Sequence, residues 1–175
     1  MTTERQEKIG FLLRKNAGDK KHPDCKQKLS KILGTDPAAI SFLPLEQSDR
    51  VRDAFFEEVR RNEEEETQSR TKVSRASWDL LHQVLLKIRD SASDRTLYIL
   101  LPDADSVGAF PLAERDFLLH AVSLYQEFNE SICAVDPLEN SSGIMIDYFD
   151  DFYSGVVNFD AVFYGKMREL LLSLQ

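Results

Sequence analysis

The chain has only two cysteines, Cys25 and Cys133, and no long run of apolar residues. Two cysteines form at most one disulfide, so the sequence does not encode a disulfide-stabilised scaffold. The absence of about 20 consecutive apolar residues predicts no membrane span. Because the first residues, Met-Thr-Thr-Glu-Arg, are too polar for a secretory signal, we expect a cytoplasmic protein.

Glycine and proline are also scarce, at 7 and 6 residues of 175, which excludes collagen-like and low-complexity chains. Hydrophobic residues make up 42% of the sequence, enough for a packed core. We therefore predict a single domain over residues 1–175. Its helical portion covers about 1–90 and its acidic, aromatic-rich β portion about 91–175. Residues 62–76, which are almost entirely polar, are predicted to be a frayed helix end and a solvated loop.

Basic residues are rare in the second half of the chain. Residues 1–90 contain 18 Lys and Arg against 16 Asp and Glu, whereas residues 91–175 contain 4 against 14. The two balances, +2 and −10, give the net charge of −8. A negative field of this kind repels nucleic acid and anionic membranes and attracts basic proteins. The sequence therefore predicts a basic protein partner, with no nucleic acid and no membrane among its targets.

Apolar periodicity predicts helices in the first half. Two short helices are expected at the start, one over residues 4–15 and one from Asp24 to a stop at Gly34. Residues spaced by three or four then indicate two further helices, the second capped by Ser77. These apolar stripes are Val51, Phe55 and Val59 in the first helix, and Trp78, Leu81, Leu85 and Ile88 in the second.

The second half favours strands, because β-prone runs alternate there with turn residues. Runs at 96–101, 131–135, 143–149 and 156–163 are predicted strands, a short helix is expected from Pro111 to Leu119, and a helix closes the chain. Residues 121–127 fit either a strand or a helix, and the strand is the preferred interpretation. The fold class is therefore α+β, with N-terminal helices followed by a mainly antiparallel sheet of four to five strands and a C-terminal helix.

No established catalytic motif occurs, and no cofactor is predicted. The strongest enzymatic signal is Asp103-Ala-Asp105 after a predicted strand, since paired carboxylates bind Mg²⁺ or Mn²⁺, with Asp136 as a further ligand. This pattern resembles the first motif of haloacid-dehalogenase-type phosphatases, with Asp150-Asp151 as a second acidic pair. That family's parallel sheet does not fit the 70 residues that follow Asp105. Alternatively, Asp103 caps the following helix through local side-chain hydrogen bonds.

The segment Asp147–Tyr153 combines aromatic rings with carboxylates, a composition typical of protein-binding hot spots. The predicted partner-binding residues are Asp147, Tyr148, Asp150, Asp151, Phe152 and Tyr153. An ordinary aromatic-rich sheet would explain the same composition.

Together these features favour a small, acidic, non-catalytic protein that binds and neutralises a basic partner protein. The expected partner has a cationic cleft like that of a nuclease. Its size, charge and fold class resemble those of bacterial toxin-immunity proteins. Two other classes remain open: a Mg²⁺- or Mn²⁺-dependent hydrolase or transferase that uses Asp103 and Asp105, and a structural or regulatory interaction module.

Overall fold

The structure is a computed structural model that describes residues 3–64, 70–139, 141–151 and 156–174. The described helices are α1 (Thr3–Leu33), α2 (Leu45–Glu64), α3 (Trp78–Ser91), α4 (Ala104–Val107), α5 (Glu114–Phe128) and α6 (Gly165–Leu172), with a 3-10 turn at Pro37–Ala39. The described strands are β1 (Arg70–Ala76), β2 (Thr96–Leu100), β3 (Phe110–Ala113), β4 (Ile132–Val135), β5 (Gly143–Asp151) and β6 (Val156–Tyr164).

The strands form one sheet in the order β1-β6-β5-β4-β2-β3, and every pairing is antiparallel. The predicted α+β class is thus confirmed, with six strands where four to five were expected. The two additional strands, β1 and β3, lie at the two edges of the sheet. Edge strands pair on one side only and carry weaker sequence signals than central strands.

Alternating side chains of the sheet enter two separate cores. Ile144 and Ile146 of β5 are fully buried in the larger core, which is completed by α3, α5, α6 and the C-terminal half of α1. Met145, between them, packs against the smaller core beneath α2. There the Phe55 ring meets the Tyr164 ring edge-on at 5.5 Å between centroids. Helices therefore cover both faces of the sheet.

Several local predictions are confirmed. Ser77 caps α3 by accepting a hydrogen bond from the Leu80 backbone N–H. Of the predicted apolar stripe of α3, Leu81, Leu85 and Ile88 are buried, and Trp78 is partly buried. Phe55 and Val59 of α2 are buried, as their spacing predicted. Gly34 follows the last residue of α1 with a φ of +66°, a left-handed conformation that glycine adopts without strain.

The prediction of a strand at 121–127 is wrong, because α5 is helical from Glu114 to Phe128. Phe117, Ala121 and Leu124 recur at helical spacing and are fully buried, so burial of this stripe decides the conformation. The predicted helix from Pro111 to Leu119 begins later than expected. Its first residues belong to β3, where Pro111 pairs with Tyr98 at the edge of the sheet.

The solvated loop expected at 62–76 is also partly wrong. Helix α2 continues to Glu64, residues 65–69 lie outside the described part of the chain, and residues 70–76 form β1. This polar strand is ordered by its pairing with β6, and its register shifts between Val73 and Ala76. Because the paired residues of β6 come about 90 positions later in the sequence, they leave no local signal.

The two short helices predicted at the N-terminus are one continuous helix, α1, with Pro23 in its interior. Proline removes one backbone hydrogen bond from a helix, so tertiary packing must offset that loss. The packing surface is α4: Lys21 Nζ lies 2.5 Å from Asp103 Oδ1, and His22 Nε2 lies 2.9 Å from the Val107 carbonyl oxygen. In contrast, the apolar face expected within residues 4–15 is largely exposed, with Leu13 64% accessible.

Gly18 marks the closest approach of α1 to α4, since a Cβ atom there would lie 1.9 Å from the Ser106 carbonyl oxygen. We expect Gly18→Ala to lower the free energy of unfolding by about 1–3 kcal/mol, because the added methyl group forces the helices apart. Gly10→Ala is the matched control, since no atom lies within 4 Å of a Cβ at this position of the same helix. It should raise stability by about 0.5–1 kcal/mol through helix propensity alone. Urea unfolding measures the free energy of unfolding of both variants. An equal gain in stability for both would contradict the close contact between α1 and α4 at Gly18.

Candidate interaction surface at one end of the sheet

One row of paired residues marks the end of the sheet at which the acidic segments meet. Leu100 of β2 pairs with Cys133 of β4, Cys133 with Met145 of β5, and Met145 with Val162 of β6. Immediately beyond this row the chain carries Asp103 and Asp105 after β2, Glu130 before β4, Asp147 in β5 and Asp160 in β6. Antiparallel pairing therefore gathers acidic residues from four segments at one end.

A groove of about 500 Å³ lies at this end, between α2 and the sheet. Its apolar lining includes Leu100, Pro102 and Met145, together with Phe56, whose side chain is 41% exposed. Two exposed carboxylates, Asp105 and Glu130, line the same groove. The groove thus combines an apolar interior with negative charge.

The neighbouring acidic residues have partners within the chain. Asp147 is exposed and accepts a hydrogen bond of 2.6 Å from the Ser131 hydroxyl. It pairs in register with Asp160, an unfavourable pairing of like charges. Lys72 on the adjacent strand β1 offsets this repulsion, because its Nζ lies 2.5 Å from Asp160 Oδ2. In the same way, Lys21 neutralises Asp103, and this hydrogen bond raises the pKa of Lys21.

Among the described residues that line the groove, Arg52 is the one with a positive charge, and it pairs with residues of its own helix, α2. Its guanidinium lies 2.9 Å from Asp53 Oδ1 and 3.2 Å from Asp49 Oδ1. Asp49 also accepts a hydrogen bond of 2.6 Å from Arg14 of α1. These pairs fix Arg52 against its own helix, so it does not neutralise Asp105 or Glu130.

Of the six predicted partner-binding residues, the structure fully describes Asp147. Tyr148, Asp150 and Asp151 continue β5, where they pair in register with Phe159, Val157 and Val156. The side chains of these three, and the whole of Phe152 and Tyr153, lie outside the described part of the structure. Residues 147–151 of β5 lie at the same end of the sheet as the groove.

The groove is also lined by Phe56, Glu130 and Met145, which the sequence analysis does not predict as binding residues. Phe56 had a usable signal, because it follows Phe55 directly and so lies off the buried stripe of α2. An aromatic residue off the stripe is expected to be exposed. Glu130 and Met145 had no such signal, since strand pairing alone brings them to α2.

The structure does not bring together Asp103, Asp105 and Asp136, the residues of the alternative prediction of a metal site. Asp103 binds Lys21, whereas Asp136 accepts a hydrogen bond of 2.9 Å from Arg95 at the opposite end of the sheet. Among the described residues, no group of three His, Cys, Asp or Glu side chains has the arrangement of a metal site. The local capping role considered for Asp103 is wrong too. It precedes α4, but its carboxylate makes no capping hydrogen bond and is held by Lys21.

Asp136 belongs to a buried ionic cluster at this opposite end, where β2 begins and β4 ends. Arg95 donates hydrogen bonds to Glu114 at 2.5 Å and to Asp136 at 2.9 Å. Glu114 is fully buried and also accepts from the Ser93 hydroxyl and backbone N–H, both at 2.9 Å. Asp136 accepts from the Leu138 backbone N–H at 2.9 Å. With these carboxylates satisfied internally, the cluster ties the starts of β2 and α5 to the end of β4.

Cys133 lies in the lining of the groove but is only 6% exposed. Burial, with a smaller contribution from the charge of Asp147, raises the pKa of its thiol to about 12. Burial also raises the pKa of Cys25. Both cysteines are free thiols. Because the thiolate is the nucleophilic form, Cys133 does not supply nucleophilic chemistry to the groove near neutral pH.

Comparison with known protein families, with curated proteins and with solved structures found no match to this chain. Within the described residues, none of the helices combines the length and hydropathy needed to cross a bilayer. The geometry of the chain itself therefore carries the functional argument.

The ionic cluster yields a stability prediction. Arg95→Met leaves two buried carboxylates without their cation, so we expect the free energy of unfolding to fall by about 3–5 kcal/mol. Arg61→Met is the matched control, because the Arg61–Glu58 pair of 3.0 Å is largely exposed and should contribute less than about 1 kcal/mol. Denaturant unfolding measures both variants. A loss at Arg95 as small as that at Arg61 would show that the cluster does not stabilise the fold.

The raised thiol pKa values predict slow cysteine labelling. At pH 8 the folded chain should react negligibly with an aromatic disulfide reagent, and both thiols should react after unfolding in urea. Leu138→Cys serves as the control, since Leu138 is 90% exposed and a thiol there should react rapidly in the folded chain. Absorbance of the released thiolate follows the reaction. Rapid labelling of the unsubstituted folded chain would contradict the burial of both cysteines.

Proposed function

We propose that this chain is a small, acidic, non-catalytic protein that binds and neutralises a basic partner protein, in the manner of a bacterial toxin-immunity protein. The single observation that carries the proposal is the groove at one end of the sheet, where apolar residues lie together with the exposed carboxylates of Asp105 and Glu130, which come from separate segments. Surfaces of this composition supply both an apolar anchor site and electrostatic attraction.

Charge supports binding at this end of the sheet. Residues 91–175 carry a balance of −10, and Asp105, Glu130 and Asp147 of that segment are exposed around the groove. A negative surface accelerates encounter with a cationic partner and disfavours anionic ones. The predicted hairpin residues Tyr148, Asp150, Asp151, Phe152 and Tyr153 would extend the same surface. Two free, buried cysteines support a cytoplasmic location, where thiols remain reduced.

The metal-dependent alternative has weaker support. The carboxylate of Asp103 is occupied by Lys21, and Asp136 is held by Arg95 at the other end of the sheet. A Mg²⁺ ion at Asp103 would have to displace the Lys21 ammonium from this carboxylate. The other alternative is an interaction module that binds a partner without neutralising it. The experiment below distinguishes this alternative from the proposed function.

The test compares capture of partners by three forms of the full chain, from a lysate of the encoding organism at about 0.15 M salt, where only short-range charge contacts survive. The surface variant is Asp105→Asn/Glu130→Gln/Asp147→Asn. The matched control, Asp90→Asn/Asp94→Asn/Asp116→Asn, changes the net charge equally at exposed residues of other surfaces. We expect a stoichiometric basic protein with the wild type and the control, and its loss from the surface variant.

Association kinetics with the captured protein then check the mechanism. The surface variant should associate about tenfold more slowly at low salt, and the difference should shrink at 1 M salt because screening removes steering. The wild type should also abolish the toxic activity of the captured protein. Capture without neutralisation identifies an interaction module, and capture that survives in the surface variant places the interface elsewhere.

A further inference from the structure

Asp105 and Glu130 differ from the other acidic residues near the groove because, in the described part of the chain, neither makes a close ion pair or a side-chain hydrogen bond. Lys21, which binds Asp103, interacts with Asp105 only through a longer-range attraction. Asp49, Asp53, Asp103 and Asp160 each lie within 4 Å of an Arg or Lys side chain. Within the described part of the chain, Asp105 and Glu130 make no ion pair and no side-chain hydrogen bond. Both line the groove, so its lining carries two carboxylates that are available to an external cation.

The apolar lining restricts which cation fits. Leu100, Leu101, Pro102 and Met145 form an apolar surface beside these carboxylates, and the exposed ring of Phe56 lines the same groove. A hydrated inorganic cation gains nothing from apolar walls. A side chain with an aliphatic stem and a charged head satisfies both parts of the lining.

Arginine satisfies this lining better than lysine. Its guanidinium is planar, weakly hydrated and able to stack on an aromatic ring while it donates several hydrogen bonds to carboxylates. A lysine ammonium is a compact, strongly hydrated charge that does not stack in this way. Arg52 leaves the position open, because its own guanidinium is bound by Asp49 and Asp53.

We propose that the groove is the receptor for an arginine side chain of the basic partner. The stem of this arginine lies along Leu100 and Met145, and its guanidinium contacts the Phe56 ring and the carboxylates of Asp105 and Glu130. The groove volume of about 500 Å³ accommodates this side chain together with part of the segment that presents it. This inference deepens the proposed function and rests on it for the identity of the partner.

The experiment titrates the full chain, labelled with ¹³C at the methionine methyl groups, with three short blocked peptides. The peptides are Gly-Arg-Gly, Gly-Lys-Gly and Gly-citrulline-Gly, each acetylated and amidated. The chain has 3 methionines. Met145 lines the groove and reports binding, whereas Met167 is fully buried in the other core and serves as an internal control.

We expect the arginine peptide to shift the Met145 methyl signal saturably and to leave Met167 unchanged. The lysine peptide should bind about fivefold more weakly, which corresponds to about 1 kcal/mol for one cation–π contact. Citrulline, which keeps the shape of arginine but has no charge, should not shift Met145 at concentrations that saturate the arginine signal. Equal affinities for arginine and lysine, or for arginine and citrulline, would overturn the proposal.

Variants assign the contacts. Glu130→Gln and Asp105→Asn should each weaken arginine binding several-fold, and Phe56→Leu should remove the preference for arginine over lysine. Glu127→Gln is the matched control, because Glu127 is equally exposed but does not line the groove. An unchanged affinity in all three groove variants overturns the assignment.

The outcome separates this inference from the proposed function. If the arginine peptide binds but capture yields no basic protein, the groove is an arginine receptor and the neutralising role fails. If capture succeeds and is lost in the surface variant, while Met145 ignores the arginine peptide, the role stands and the arginine anchor is wrong.

Discussion

Burial of the sheet on both faces is the constraint on which the rest of the structure depends. Successive residues of a strand point to opposite faces, so β5 contributes Ile144 and Ile146 to one core and Met145 to the other. Once helices cover both faces, the strand ends and the loops beyond them remain available to solvent. Polar and charged groups collect there, and the two ends of the sheet use them in different ways.

At one end, charge is neutralised within the fold. Arg95 has two carboxylate partners, and these carboxylates also accept hydrogen bonds from Ser93 and Leu138. Buried ionic groups are tolerated only with this degree of satisfaction. At the other end, Lys21 and Lys72 bind Asp103 and Asp160, whereas the exposed carboxylates of Asp105 and Glu130 lie beside an apolar groove and make no close ion pair among the described residues. The same types of residue thus stabilise the fold at one end and line an exposed groove at the other.

The sequence predicted the elements that local signals determine. The Ser77 cap and the apolar stripe of α3 are examples, because the signal for each, a capping side chain and a helical spacing of apolar residues, lies within one short stretch of sequence. Elements that depend on distant partners were missed. β1 has a polar sequence and forms a strand through its pairing with β6. α1 continues through Pro23 where it packs closely on α4, next to Gly18. Short-range patterning leaves residues 121–127 ambiguous between strand and helix. Burial of one face decides in favour of helix α5.

The same distinction holds for the candidate surface. Its acidic character was evident from composition, and Asp147, Asp103 and Asp105 were selected individually. Their placement at one end of the sheet, with Glu130 and Phe56, depends on the register of four antiparallel strands.

The position of β1 also affects how the chain can fold while it is being synthesised. Its pairing partner, β6, is synthesised some 80 residues later, so the edge of β1 has no partner on the ribosome until nearly all of the described chain has been made.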